Sequence, residues 1–432
     1  MGSGLLFAAN LPVPENCLPP LFALIKRPSR TLRRLRSAKP NVSMSTRCPL
    51  LIASVLSPAL RVHGELPPQE YAYGFQLYQE DDNRIRVEAE YLRARVDVNE
   101  DTAFRFQYLR DAVSGASPTG VLPGSAQPFY ANLEDVRRGI LGAVSRQFGD
   151  HRAEIEFSRS EEDDYVSRGL AITDTLELNQ KNTTLRFGLN YLDDTVLVPG
   201  LGDRDKRTTD FFAGVSQLLD SNTVLTANFT LGYAEGYLND PYKLVQRTDS
   251  ITLPDGMGGT IEIPIVNVFR ENRPDSRFRQ VLQLGARHYF EPLNGALDGV
   301  FRLSNDSFGV LSQTVQIEWR QAIGKHFEVV PFVRYYRQDE ADFFTNTVDA
   351  VPGTPSSNPN GSGPNYSADY RLSSFDALSG GLRLSCRITE NFSATAAYER
   401  YVMDATGGTS GRSPDQAYAT ADIWTFGIQA AF

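Results

Sequence analysis

The sequence predicts an all-β protein: a transmembrane antiparallel β-barrel of about 16 strands with periplasmic termini. Three observations predict it: the alternation of apolar residues, the number of alternating runs, and the unequal lengths of the connections. The alternation is clearest at the C-terminus, where Trp424, Phe426, Ile428, Ala430 and Phe432 share one face and small or polar residues share the other. Successive side chains of a strand point to opposite faces, and an apolar outer face around a polar lumen is typical of a membrane barrel.

Sixteen alternating runs follow one another along the chain. An even number of strands brings both termini to one side of the membrane, as in bacterial single-chain barrels. No run of about 18 apolar residues occurs, which disfavours a transmembrane helix. The runs cover 70–79, 84–97, 102–110, 133–146, 151–159, 165–178, 182–192, 208–218, 223–235, 276–290, 295–304, 308–321, 326–338, 371–388, 391–403 and 418–432.

The connections between these runs are short after even-numbered strands and often long after odd-numbered ones. Short periplasmic turns and long extracellular loops are characteristic of outer-membrane barrels. The predicted long loops are 111–132, 193–207, 236–275, 339–370 and 404–417. Within 236–275, the alternating stretch 260–266 favours a small hairpin or a constriction folded into the mouth. Deleting about 244–270 is therefore expected to raise conductance.

Aromatic residues near the strand ends predict two belts at the membrane interfaces, where an amphipathic ring is favoured. The outer belt comprises Tyr78, Tyr108, Tyr191, Tyr233, Tyr335, Tyr336 and Tyr401, and the inner belt comprises Phe148, Phe290, Phe327, Phe392 and Phe432.

The N-terminus divides into two segments before the barrel. Met44, Arg47 and the apolar stretch 50–60 have the pattern of a signal peptide ending near Gly64. We interpret 1–43 as a misassigned upstream extension, 44–64 as the signal peptide and 65–432 as the barrel. The alternative is one long signal peptide.

Charge and cysteine content exclude several classes of function. Residues 1–64 hold nine Lys/Arg and one Glu, so the mature chain has 34 basic and 51 acidic side chains, a net charge of about −17. A chain this acidic is a poor nucleic-acid binder. Only Cys386 remains after residue 64, which leaves no disulfide framework within the chain.

No cofactor or specific metal site is predicted. Four acidic clusters map to the outer connections, but none has the spacing of an EF-hand loop. Solvated charge, or cations bridging to lipopolysaccharide, is the favoured interpretation. The four histidines are scattered, and the glycine-rich segment 255–259 lacks the Lys-Ser/Thr of a phosphate loop. The clusters are Glu80-Asp81-Asp82, Glu161-Glu162-Asp163-Asp164, Asp203 with Asp205, and Asp339-Glu340 with Asp342.

Several segments carry a resemblance to a known family. They are Ser114–Gly120, Gly236–Lys243, Arg273–Arg277 with Arg287–Phe290, and Phe332–Tyr336 followed by Ala341–Phe344. On these segments the chain resembles a family of bacterial outer-membrane barrels known only as a domain of unknown function. The segment Phe301–Ser304 departs from the Tyr-rich pattern expected there. The resemblance implies no assigned activity, and it implies at most a link to envelope redox chemistry through neighbouring flavin-transfer and thioredoxin-like genes.

Strand alternation places two sets of charged residues in the predicted lumen. The first is Arg287, Asp298, Arg302, Glu318 and Arg334, and the second is Arg84, Arg86, Glu88 and Glu90 with Arg105. Such residues form either a charged constriction that selects solutes or a salt-bridge network that stiffens the wall. The second interpretation is favoured because a lumen is polar in any case.

Three classes of function remain: a porin-like passive channel for small solutes or ions, a non-conducting structural or docking barrel for periplasmic or surface partners, and an outer-membrane enzyme. The channel is favoured. No G-x-S-x-G elbow occurs, so no catalytic residue is predicted. Trp424, Phe426, Ile428 and the terminal Phe432 resemble the signal that outer-membrane proteins present to the barrel assembly machinery.

Overall fold

The computed structural model describes residues 68–121, 128–348, 363–407 and 412–432. The proposed upstream extension and signal peptide lie outside these ranges. Within them no helix is long and apolar enough to cross a membrane.

Eighteen strands occur in the described ranges, sixteen of them in one closed antiparallel barrel. β10 and β11 pair with each other and form a two-stranded hairpin separate from the barrel. The strands are β1 Gln69–Glu80, β2 Ile85–Asp97, β3 Thr102–Val121, β4 Pro128–Phe148, β5 His151–Glu161, β6 Tyr165–Leu178, β7 Thr183–Val198, β8 Gly202–Leu218, β9 Thr223–Gly236, β10 Leu244–Pro254, β11 Thr260–Arg270, β12 Ser276–Phe290, β13 Gly295–Asp306, β14 Leu311–Ile323, β15 Phe327–Gln338, β16 Phe375–Arg387, β17 Phe392–Ala405 and β18 Thr420–Ala431. Single 3-10 turns occur at Asp81–Asn83, Glu291–Leu293, Tyr370–Leu372 and Asp415–Ala417.

The barrel closes between its first and last strands. β1 pairs with β18 over their whole length, with Phe75 opposite Phe426 and Leu77 opposite Trp424. Closure removes the unpaired edges that an open sheet would expose. Each of the sixteen predicted runs is confirmed as a barrel strand. The start of β1 and the end of β18 lie at the end that carries the short turns, the periplasmic end.

Two of the predicted long loops are wrong. Most of 111–132 and 193–207 is strand, because β3 and β4 run to 20 and 21 residues and β7 and β8 are joined by a turn at 199–201. A membrane-spanning strand needs only about 9–11 residues, so these strands continue beyond the bilayer. The register of β3 and β4 shifts between Pro118 and Gly120, and a bulge of this kind is where a strand tolerates proline.

The outer face carries the apolar band that lipid requires. Phe106, Ile140, Phe157, Leu189 and Ile317 all project from it with 45–63% of their surface exposed. Trp424, Phe426, Ile428 and Phe432 lie on the same face. The predicted outer belt is confirmed for Tyr108, Tyr191, Tyr233 and Tyr335 but wrong for Tyr78, Tyr336 and Tyr401, which turn inward.

Apolar packing inside the barrel is concentrated in its extracellular half. The largest cluster includes Tyr78, Val87, Tyr401 and Ile423 from the wall, together with Tyr370 from the β15–β16 connection. The chain that fills this half comes from two long extracellular connections, and we name it the cap: residues 237–246 and 270–275 between β9 and β12, and residues 339–348 and 363–374 between β15 and β16.

Candidate functional site: a charged lumen and its extracellular cap

Three of the predicted lumen residues belong to one chain of ion pairs on β12–β16. Arg287 is paired with Asp298, which also accepts from Arg320 Nε at 2.6 Å. Glu318 lies 3.2 Å from both Arg320 and Arg383. Arg320 and Arg383 share the inward face of their strands, and that alternation was the available signal for finding them from the sequence.

Arg302 and Arg334 also face the interior, but their partners lie outside this chain of ion pairs. Arg302 donates to Gln283 Oε1 at 2.7 Å, and Arg334 is ion-paired with Glu399 and lies 3.2 Å from Ser379 Oγ. The structure thus brings the five predicted residues onto one side of the lumen, and their role as a constriction stays a prediction.

The second predicted lumen set is wrong in its orientation. Glu88 lies directly opposite Leu77, whose other neighbour is the lipid-facing Trp424, and directly opposed residues share a face of the sheet. Arg86 and Glu90 have the same parity as Glu88 and therefore also project outward. Arg84 lies in the extracellular β1–β2 turn and is paired with Glu80 at 2.5 Å.

Arg105, by contrast, faces the interior, because the buried Ala143 lies directly opposite it. It is ion-paired with Glu154 and Glu156 at 2.8 and 2.6 Å.

Backbone hydrogen bonds join the two halves of the cap. Asn272 and Tyr366 exchange reciprocal N–H···O bonds of 2.9 Å. Gln246, at the base of the β10–β11 hairpin, forms a parallel bridge with Thr347. The two connections therefore behave as one small structure held over the lumen.

A buried cluster of three cations and three carboxylates sits at the centre of the cap. Arg273 contacts Glu271 and Asp369, both at 2.7 Å. Arg371 is paired with Asp369 and Asp240. We name these side chains the cap charge cluster, which is completed by Lys243, 3.8 Å from Asp369.

The cluster is almost fully removed from water. Glu271 and Asp369 are fully buried, and Lys243 has 1% of its side chain exposed. Three adjacent cations hold the pKa of the Asp369 carboxyl far below its usual range, although burial alone would raise it. Burial is also the main cause that lowers the pKa of Lys243. Each buried charge of the cluster needs an oppositely charged partner. The cluster therefore holds the two cap connections in one arrangement.

The cap is attached to the barrel wall at three further places. Lys243 Nζ donates to the Pro118 carbonyl on β3, Tyr242 donates to Asp164 in the β5–β6 turn, and Arg270 donates to the Pro199 carbonyl. Gly120 makes room for this approach, since a Cβ there would lie 2.4 Å from the Leu244 carbonyl oxygen.

One predicted acidic cluster is partly assembled. Glu162 and Asp164 join Asp135, and their carboxylate oxygens lie within 4.8 Å of one another, a grouping able to hold a metal ion. Burial raises the pKa of Glu162 to about 8; Arg137 opposes the rise, while Asp135 and Asp164 add to it. Arg137 Nε, 3.9 Å from Glu162, already supplies a positive charge.

A closed, lipid-banded antiparallel barrel with a charged interior defines a transmembrane protein of the bacterial outer membrane. The chain belongs to the family described as Protein of unknown function (DUF3570), whose model matches residues 48–128, 123–204 and 199–416. This confirms the resemblance seen in the sequence. No curated protein matches the chain.

Several solved structures are similar to the chain at low sequence identity. The chain is similar to the siderophore receptor PirA from Pseudomonas aeruginosa, with TM-score 0.40 and 15% identity over 85% of this chain and 63% of that one. It is similar to the CymD monoaromatic hydrocarbon channel, with TM-score 0.39 and 10% identity over 85% and 89%. OmpT of Vibrio cholerae gives 0.39 and 9% over 84% and 97%. The chain spans less than two thirds of the PirA receptor.

Proposed function

We propose that this barrel is a channel for small polar solutes or ions whose extracellular mouth is closed by the cap. The observation that carries the proposal is the contrast between the two halves of the lumen. Beneath the cap, the inward-facing Arg287 and Glu328 keep 48% and 40% of their side chains exposed. Barrels of about 16 strands are wide enough to leave an aqueous interior, so these side chains line water.

The cap has the properties of a closing element. It is an insertion between barrel strands, so it can move without breaking the barrel's hydrogen bonds. Its own stability rests on the cap charge cluster and on the Tyr370 contacts with the wall. Opening then requires the two cap connections to separate from each other over the lumen while the sixteen wall strands stay paired.

A disulfide that locks the cap tests this proposal. Gln246→Cys and Thr347→Cys, placed at the bridge between the two cap connections, are introduced with Cys386→Ser into the mature chain. In planar bilayers we expect the oxidised protein to remain closed and the reduced protein to show openings. High conductance in both states would contradict closure by the cap. Absence of conductance in both states and in a cap-deleted barrel would contradict the channel itself.

A docking barrel is the second candidate, and the β10–β11 hairpin favours it. One face of the hairpin carries Ile251, Leu253, Ile261 and Ile263, all 43–54% exposed. A photo-crosslinking residue at Met257, which is 95% exposed at the tip, tests this on intact cells. A discrete adduct that competes with an excess of the isolated hairpin peptide would support docking, and only diffuse background would oppose it.

A further inference from the structure

Four arginines form a continuous patch on the outer surface of β3–β6. Arg110 lies directly opposite Arg138, and Arg159 lies directly opposite Arg168. Arg138 and Arg159 are on adjacent strands, which joins the two pairs. We name these four residues the arginine patch.

The patch lies at the extracellular limit of the lipid-facing band. Arg110 and Arg138 each follow, by one step on the outward face, the opposed pair Tyr108 and Ile140. Ile140 is 52% exposed to the lipid side. Side chains one step above such residues reach the headgroup level, where long cationic side chains place their charge while their stems cover apolar surface.

Within the protein only part of this positive charge is neutralised, because Arg110 pairs with Glu90 at 3.4 Å and Arg159 pairs with Glu161. Like charges directly opposite each other destabilise a strand pair. Among the described residues, Arg138 and Arg168 have no ion pair. Glu161 and Asp193 face them across the strands, but the ion pairs of these carboxylates are with Arg159 and with Arg207.

We propose that the arginine patch binds the phosphate groups of the anionic glycolipid of the outer leaflet, the lipid A part of lipopolysaccharide. Guanidinium groups bind phosphate oxygens through paired, charge-assisted hydrogen bonds. A phosphate bound beside Arg138 or Arg168 supplies a negatively charged partner to the two arginines of the patch that have no ion pair among the described residues. Because the patch lies at the level of the headgroups, we infer that its ligand is a membrane lipid, whose acyl chains contact the lipid-facing band below. This site is independent of solute passage through the lumen.

The double variant Arg138→Gln/Arg168→Gln tests the site in the full mature barrel. The matched control is Arg86→Gln/Arg400→Gln, which removes two outward arginines whose carboxylate partners do not face the patch. Binding is measured as the shift in unfolding temperature on adding bisphosphorylated lipid A, dephosphorylated lipid A or inorganic phosphate to detergent-solubilised protein.

We expect bisphosphorylated lipid A to stabilise the wild type and the control equally, and to bind the patch variant roughly tenfold more weakly, since hydrogen bonds to charged groups are lost. Without lipid the patch variant should be at least as stable as the wild type, because it lacks the repulsion. Equal binding by patch variant and control, equal response to dephosphorylated lipid A, or saturation by inorganic phosphate alone would each overturn the proposal.

Discussion

Arg273 donates from Nη2 to Asp369 Oδ2 at 2.7 Å, although the two residues lie 96 positions apart in different extracellular connections. Both side chains are at least 95% buried. This contact closes the cap charge cluster and joins the β9–β12 and β15–β16 connections over the lumen.

Arg273→Met is therefore expected to loosen the cap without unfolding the barrel. It leaves Glu271 and Asp369 with fewer cations, and removal of one partner of a buried pair costs about 3–5 kcal/mol. Limited proteolysis of intact cells should then cut within 237–275 or 339–374, and bilayer conductance should rise. Heat-modifiable migration of the barrel in gels serves as the folding control. An intact cap with unchanged conductance would show that the Arg273–Asp369 contact is dispensable.

The β10–β11 hairpin has a base that packs in the cap and an exposed arm, and the two can be removed separately. Deleting 244–270 also removes Val245 and Gln246, which are 1% and 6% exposed and pack in the cap. We expect that deletion to raise conductance.

Replacing 250–264 by Asn-Gly, which closes a two-residue hairpin after the Asp249–Ile265 pair, removes only the exposed arm. This shorter variant should conduct like the wild type. A rise of the same size in both variants would mean that the arm itself obstructs the mouth.

The sequence predicted the barrel wall well because lipid imposes a strict rule. Every second residue in the bilayer must be apolar, and that alternation identifies the strands and the orientation of Phe426 or Ile317. Above the bilayer the rule no longer holds. There β3 continues through small, polar and glycine-containing sequence, and β8 begins in the charged stretch 202–207, both of which resemble a loop.

The cap also explains why alternation in the sequence predicts the wrong inward face for β2. Val87 and Ala89 point into the barrel and are 2% and 1% exposed, because the extracellular half of the lumen is filled with protein rather than water. Glu88 on the other face projects outward beyond the apolar band. Charge therefore does not identify the lumen side at this height. The cap itself depends on contacts such as Asn272 with Tyr366, which no local pattern reveals.

Gly120 offers a sharper test of cap docking. Gly120→Ala places a Cβ against the Leu244 carbonyl oxygen, a backbone atom that is 2.4 Å from the Cβ position and cannot turn aside. We expect the cap to shift and conductance to rise. The matched control is Gly142→Ala on β4, where a Cβ meets nothing within 4 Å. An identical, wild-type conductance for both variants would contradict close docking of 243–245 on β3.

The Glu162 carboxyl predicts a pH dependence of the β5–β6 turn. Its pKa in the folded protein is about 8, compared with an ordinary value of 4.5. The protonated group stabilises the folded turn fully below about pH 4.5, and that contribution is lost as the pH rises through 8. Hydrogen exchange of residues 162–165 should therefore accelerate, beyond the intrinsic pH effect, between pH 5 and 9. Glu162→Gln should abolish the excess, whereas an excess that persists in this variant would assign the effect to Asp164 or another group.

The inward arginines predict the ion preference of the open barrel. Arg302 donates to the neutral Gln283, whereas Arg334 is paired with the carboxylate of Glu399. Arg302→Gln removes a lumen charge, and Arg334→Gln in addition leaves Glu399 without that partner. Both changes should increase cation preference, and Arg334→Gln should do so more strongly, because lumen charges set selectivity.

Reversal potentials in a salt gradient provide the readout for these two substitutions, measured on the reduced form of the Gln246→Cys/Thr347→Cys variant. Arg86→Gln is the matched control, since it removes an arginine of the outer surface and should leave the reversal potential unchanged. A reversal potential that is unchanged for Arg302→Gln and Arg334→Gln as well would assign both arginines to wall packing. A shift as large for Arg86→Gln would instead show that surface charge near the mouth, and not the lumen, sets the preference.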